Sequence, residues 1–328
     1  MEFYFLVLVI VLALIFDFIN GFHDSANAIA TVISTRVMTP RAAIMIAALM
    51  NLIGAFAGTE VAKTVGSGLV TVEAVTQVTI ISALVAAIIW DLITWYFGLP
   101  SSSSHALLAG LVGAGIATGG FQVLIWSGMK KILIALFLSP LLGFVFGWAV
   151  MVLLLWAFSR TAPSRVTGIT KKLQIVSASY MAFSHGSNDS QKSMGIITAA
   201  LVSFYSLKEF HVPAWVIVLC AASMAIGTAF GGWRIIRTLG LRITALKPIH
   251  GFAAETSAAT VIEIASHIGV PISTTHTISA SIMGVGATKR LSAVKWGVGL
   301  NIVSAWILTL PACALMAWLA CKILKQIF

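Results

Sequence analysis

Charge is the scarcest thing in this sequence: 9% of its 328 residues are Asp, Glu, Lys or Arg, against roughly a quarter in soluble domains. That shortage excludes an ordinary soluble fold. The mean hydropathy of +1.02 points instead to an all-α, polytopic membrane protein. No stretch alternates apolar and polar residues as a transmembrane β-barrel requires. Cysteine is nearly absent too. Cys220, Cys313 and Cys321 lie in apolar segments without metal-ligand spacing, so they read as packing residues and no cofactor or metal is expected. The first apolar run, 3–19, lacks the basic n-region of a signal peptide and reads as a mature helix.

The formal net charge is +10, which in a soluble chain would suggest nucleic acid. Here the Lys and Arg residues sit in short connections between apolar runs, so they report topology. Arg36 and Arg41 place the first loop in the cytoplasm and the N-terminus outside. The run 42–58 then crosses to a connection holding Glu60, Lys63 and Glu73, and 78–97 returns. Residues 98–120 are too rich in Ser and Gly for a lipid-facing span, and a re-entrant helical hairpin fits. Residues 132–158 end at a basic inner loop with Arg160, Arg165, Lys171 and Lys172.

The second half repeats the first. GFHDSANAIAT at 21–31 returns as HGSNDSQKSMG at 185–195, taking Gly21 to Gly186 and Asp24 to Asp189. After runs at 173–184 and 214–230, a basic loop and a run at 249–267, GVPISTTH matches the earlier GLPSSSSH, taking Gly98 to Gly269 and His105 to His276. The first copy starts outside and the second inside, so the two should be inverted repeats with broken helices meeting near the midplane, an arrangement of secondary transporters. The expected division is 1–128, first repeat; 129–172, connecting helix and cytoplasmic loop; 173–291, second repeat; 292–328, C-terminal membrane helices, where Pro311 kinks or divides the run.

Unwound backbone at each polar break would leave helix N–H groups in want of a ligand. Helix N-termini attract oxyanions, and Ser102, Ser103, Ser104, Ser273, Thr274 and Thr275 add hydroxyl donors just after Pro100 and Pro271. The alternative, that these small residues only let helices pack closely, is weakened by the pairing. Asp17, Asp24, Asp91, Asp189, Glu255 and Glu263 fall within or beside apolar spans, where ionisable groups usually serve a functional interior. Asp24 and Asp189 are related by the repeat and flanked by His23, Asn27, Asn188 and Lys192; Asp17 and Asp91 read rather as solvating helix ends. A carboxylate beside an anion site can hold a cation or accept a hydrogen bond from a protonated ligand, which favours phosphate over sulfate. His105 and His276 could relay protons or serve structure.

With these residues in view, the chain resembles the inorganic phosphate transporter (Pit) family over nearly its full length. GFHDSANAIAT and FSHGSNDSQKSMG resemble the two family signatures, and GLPSSSSH and GVPISTTH resemble the paired hairpin tips. The resemblance implies symport of inorganic phosphate with cations by alternating access in a bacterial inner membrane. It assigns phosphate contacts to Asp24, Asn27, Ser102, Ser103, Ser104, Asn188, Asp189, Ser273, Thr274 and Thr275, and cation coupling to His23, Asp24, Asp189, Lys192 and Glu255.

His23 in place of Asn, and Gln191 with Lys192 in place of Ala-Asn, resemble the bacterial proton-coupled branch, which moves phosphate or neutral metal–phosphate complexes. If relatives hold sodium near that Asn, the Lys192 ammonium would replace it, making a proton the favoured coupling ion; the simpler reading is that Lys192 pairs with Asp189. The expected partners are phosphate, a cation and the lipid bilayer, with no nucleic acid and room for a homodimer. A sulfate carrier, an intramembrane hydrolase and a phosphate sensor are the rival readings, although no G-x-S-x-G elbow is present.

Overall fold

The computed structural model describes residues 2–71 and 75–327, so Glu73 of the expected outer connection lies outside the described residues. Twelve α-helices are found among them: α1 (Glu2–Ser34), α2 (Pro40–Gly54), α3 (Glu60–Ser67), α4 (Gln77–Phe97), α5 (Ser103–Gly119), α6 (Trp126–Ala157), α7 (Pro163–Tyr205), α8 (Ala214–Phe230), α9 (Trp233–Arg237), α10 (Pro248–His267), α11 (Thr274–Ala287) and α12 (Trp296–Ile327). Local signals set many boundaries. Pro40, Pro163 and Pro248 open their helices with a φ already suited to the first turn. Gly98 and Gly269 end α4 and α10 at φ +66° and +69°, a left-handed conformation open chiefly to glycine.

Helices α1, α4, α6 and α12 are each long and apolar enough to cross a membrane, and α8 with the following 233–242 segment makes a pair bent by 60° that is apolar enough for a broken span or a re-entrant loop. Ile134, Phe137, Leu141, Leu153 and Trp156 of α6 face outward, a surface suited to acyl chains. Pro311 lies inside α12, which remains one helix of 32 residues and is not divided.

Helices α1 and α7 run antiparallel through the centre. Phe3 approaches Phe204, with ring centroids 6.5 Å apart, while at the opposite end the Thr35 hydroxyl donates to Gln174 Oε1 at 2.9 Å. One apolar cluster gathers the first half of α1, the last half of α7 and α5; a second gathers the last half of α1, the first half of α7 and α11. Between them lies a polar belt carrying both signature motifs.

The packing exchanges halves reciprocally. α1 lies on α8 and α7 on α2, while α5 lies on α12 and α11 on α6. The α1–α8 and α7–α2 crossings are close enough that a Cβ on Gly21 would strike the Met224 carbonyl, and one on Gly186 the Asn51 carbonyl. Gly54 and Gly227 repeat the relation against Phe183 and Phe18. Small residues allow such backbone approach in a setting with little hydrophobic drive between helices.

Residues 98–120 and 269–288 do not form the expected hairpins by themselves: each supplies a turn and one helix, α5 or α11, and the hairpin is completed by the preceding α4 or α10, which had read as separate apolar runs. Thr79 and Thr118 hydroxyls meet at 2.9 Å across α4 and α5, and Ser281 Oγ donates to the Ala254 carbonyl at 3.0 Å across α11 and α10. Their turns, at 98–102 and 268–273, are the interruptions of the fold. The unwinding expected at the signature motifs is absent. Residues 21–31 are helical within the 33 residues of α1, and 185–195 within the 43 of α7. The backbone keeps its own hydrogen bonds as lipid demands, and several of the polar side chains, Asn27, Asn188 and Ser25 among them, bond to neighbouring elements. Two loops also differ from expectation: Glu60 and Lys63 begin a short helix, and Arg165, Lys171 and Lys172 already belong to α7.

Candidate functional site

The two hairpin tips meet between α1 and α7. Ser102 and Ser273 cap α5 and α11, each hydroxyl accepting from the backbone N–H of the histidine three residues on, at 3.2 Å for His105 and 3.1 Å for His276. This fixes the N-terminal turns, whose remaining N–H groups and partial positive charge face the belt. The tips are clasped by the opposite half: Thr64 of α3 donates to the Gly269 carbonyl at 2.7 Å, and Thr238, just after α9, to that of Gly98 at 2.8 Å.

α1 meets the second tip. Asn27 Nδ2 donates to Thr275 Oγ1 at 2.9 Å and lies 3.3 Å from Thr274 Oγ1, while Thr275 donates to Asp24 Oδ1 at 3.3 Å. Asp24 also meets His23 Nδ1 at 2.7 Å, and the other His23 nitrogen lies 3.1 Å from Thr94 Oγ1, which accepts from Ser101 at 2.8 Å. α7 meets both tips. The Lys192 ammonium contacts Asp189 Oδ1, Ser104 Oγ and, at 3.2 Å, the Ile272 carbonyl; Thr274 donates to Asp189 Oδ2 at 3.2 Å. The pairing of Lys192 with Asp189 read from the sequence is therefore present.

His105 and His276 face each other with ring centroids 4.7 Å apart. His276 stacks at 4.0 Å on Trp306, whose indole N–H donates to the Pro100 carbonyl at 3.0 Å. Asp91 of α4 stands beside His23 and Ser103. All of these side chains are buried, so the site is closed to both water phases.

Two expected site residues stand apart from the tips. Asn188 turns to α10, donating to Ser266 Oγ at 2.8 Å. Glu255 is held by Thr31, Ser177 and Gln174, a polar group between α1, α7 and α10. The positions related to Glu255, Thr31, Ser177 and Gln174 by the repeat are Leu84, Ile196, Leu12 and Val9, so this polar group has no copy in the other half.

Ser103 is buried and its hydroxyl has no partner among the described residues, as expected of a donor that awaits a ligand. Sequence reasoning missed Thr94, Ser101 and His185. The last lies 3.4 Å from Asp189 Oδ2 and donates from Nδ1 to Asn51 Oδ1 at 3.0 Å. Ligand atoms of Asp24, His185 and Asp189 all fall within 4.8 Å of one another and could hold a metal ion. The arrangement therefore offers helix N-termini, hydroxyls, an amide and an ammonium to an anion, and carboxylates to a cation or to a protonated oxygen.

The model of a phosphate transporter family matches residues 20–317. The chain is 49% identical to a probable low-affinity inorganic phosphate transporter of Rhizobium meliloti, over 95% of this chain and 94% of that one. It is 44% identical to a probable low-affinity inorganic phosphate transporter of Bacillus subtilis, over 98% of each. Among solved structures, a sodium-dependent phosphate transporter superposes with a TM-score of 0.89 at 26% identity, covering 99% of this chain and 100% of that one.

Proposed function

The chain belongs to the phosphate transporter family, and on that premise we propose that it imports inorganic phosphate with protons by alternating access of two inverted halves. As a member of a transporter family it is not an enzyme, which sets aside the hydrolase reading. The observation that carries the proposal is the meeting of the two capped tips with Asp24, Asn27, Asp189 and Lys192. In this reading phosphate takes the place of contacts the tip hydroxyls now make with Asp24, Asn27, Asp189 and Lys192. Ser102, Ser103, Ser104, Ser273, Thr274 and Thr275 donate to its oxygens, Asn27 flanks it, and Asp24 and Asp189 accept from its protons; Asn188, turned to Ser266, falls outside this set. Helix N-termini and the Lys192 ammonium offset its charge.

Lys192 also bears on the coupling ion. An ammonium fixed on Asp189 occupies ground that a sodium ion would need, so the proton is the favoured partner although the structural relative is sodium-dependent. His23, Asp24, Asp189 and Glu255 are the groups assigned to cation coupling alongside it. A metal–phosphate complex would present its metal to Asp24, His185 and Asp189. The basic residues Arg36, Arg41, Arg165 and Lys172 favour an N-terminus outside a bacterial inner membrane. A homodimer remains compatible with the exposed apolar faces.

Uptake of labelled phosphate into proteoliposomes, with pH, sodium and divalent metal varied independently, tests the reading. Accumulation driven by a pH gradient without sodium, and uncompeted by sulfate, is expected. Sodium-driven accumulation without a pH gradient overturns the proton assignment, and competition by sulfate overturns the selectivity.

A further inference from the structure

Asp17 is a buried acid that takes no part in the phosphate site described above. It lies near the middle of α1, seven residues before Asp24, roughly 10 Å along the axis by helix rise, on the side facing the first apolar cluster. Its carboxylate is 0% exposed, and neither oxygen has a partner at hydrogen-bonding distance among the described residues. Asn20, one turn on, is likewise buried with both amide atoms unpartnered, and so is the hydroxyl of Ser193 on α7. Ser193 and Cys220 stand beside the Asp17 carboxylate.

The internal duplication provides a control. The repeat relates Asp17, Asn20 and Ser193 to Ala182, His185 and Ala28, and the reciprocal packing of α8 and α2 relates Cys220 to Ala47. The same crossing in the other half is therefore built with three alanines, all buried. Packing does not require a carboxyl or a hydroxyl there, while the position of Asn20 is polar in both halves, as His185 in the other. An acid and a hydroxyl present on one side only, and left unsatisfied, mark a ligand that comes and goes.

We propose that Asp17, with the Asn20 amide oxygen and the Ser193 hydroxyl, takes up and releases the coupling proton, joining the coupling groups named above. This rests on the proton-coupled reading above and adds a carrier to it. A bare carboxylate far from water is costly, and the nearest ammonium, that of Lys192, is already bound to Asp189. A proton arriving from one water phase makes Asp17 a neutral acid that donates to Asn20 or Ser193; rearrangement of the halves returns the proton to the other phase. The charged and titratable groups facing Asp17 are Asp189 and Lys192 from α7 and Cys220 from α8. Asp91 of α4 faces His23 and Asp24 instead, within the phosphate site.

The test separates exchange from accumulation in proteoliposomes holding the full chain. Asp17→Asn keeps the shape of the neutral acid but cannot release a proton. It should retain exchange of labelled for unlabelled phosphate at equal pH and lose accumulation driven by a pH gradient. Accumulation at the wild-type level, or loss of exchange together with accumulation in a folded protein, overturns the proposal. Should Asp17→Asn fail to reach the membrane, Asp17→Glu carries the test: accumulation with a displaced pH profile supports the assignment, and an undisplaced profile or a loss of exchange overturns it. Wild-type protein that never responds to a pH gradient would instead overturn proton coupling as a whole.

Discussion

The Thr275 hydroxyl of the second hairpin tip donates to Asp24 Oδ1 of the first signature at 3.3 Å, across 251 residues of sequence. Because Asp24 also meets His23 Nδ1 at 2.7 Å, its carboxylate works here as an acceptor. Asp24→Asn places an N–H where donors already converge, and Asp189→Asn does the same toward Thr274 and Lys192. Each substitution should abolish phosphate uptake while the protein remains in the membrane fraction. Normal uptake by both would remove these residues from the site.

Lys192→Asn leaves Asp189 buried without its cation. Removing one partner of a buried ion pair typically costs about 3–5 kcal/mol. Uptake without sodium should fall below detection, and added sodium should restore part of it by standing on Asp189. Restored uptake that is indifferent to sodium would count against the Lys192 assignment.

Ser103 offers a hydroxyl with no present partner. If it donates to phosphate, Ser103→Ala removes one hydrogen bond worth about 1 kcal/mol, or roughly fivefold in affinity. A raised KM with unchanged melting temperature is expected. An unchanged KM would show that phosphate sits elsewhere along the tip.

Ser102→Ala, by contrast, removes the cap of α5. The expected loss is about 1 kcal/mol of stability, read as a lower melting temperature in detergent. Ser102→Gly should recover most of it, since glycine is tolerated at that position.

Gly227→Leu should prevent assembly, because even a Cβ at this position collides with the Phe18 carbonyl. Loss of the monodisperse peak in size-exclusion chromatography checks this. A well-folded variant would mean that the α1–α8 crossing can spread more readily than its backbone contact suggests.

Much of this architecture was legible because the chain states it twice. The tips were readable from GLPSSSSH and GVPISTTH, whose serines cap the two short helices. The state of the signature backbone was not. Ser, Asn, Asp and Gly in close succession suggest unwinding, and only the third dimension reveals that Asn27 is satisfied by Thr275 and Ser25 by the Gly232 N–H. Glu255 was visible as a mid-span acid, but its partners Thr31, Ser177 and Gln174 come from two other helices and have no motif of their own. The spacing of Gly54 and Gly227, each set against the other half, is a signal in the sequence that could have located the central crossings.

The exchange of partners between halves bears on how the molecule is made. Helix α5 finds its seat on α12, which is synthesised well after it, and α11 finds its seat on α6 of the opposite half. The first hairpin therefore has to wait until α12 has been made, and neither half can mature as a separate unit during synthesis. Quality control would meet the nascent chain with the serine-rich first tip still uncovered, and release from that exposure comes only with α12.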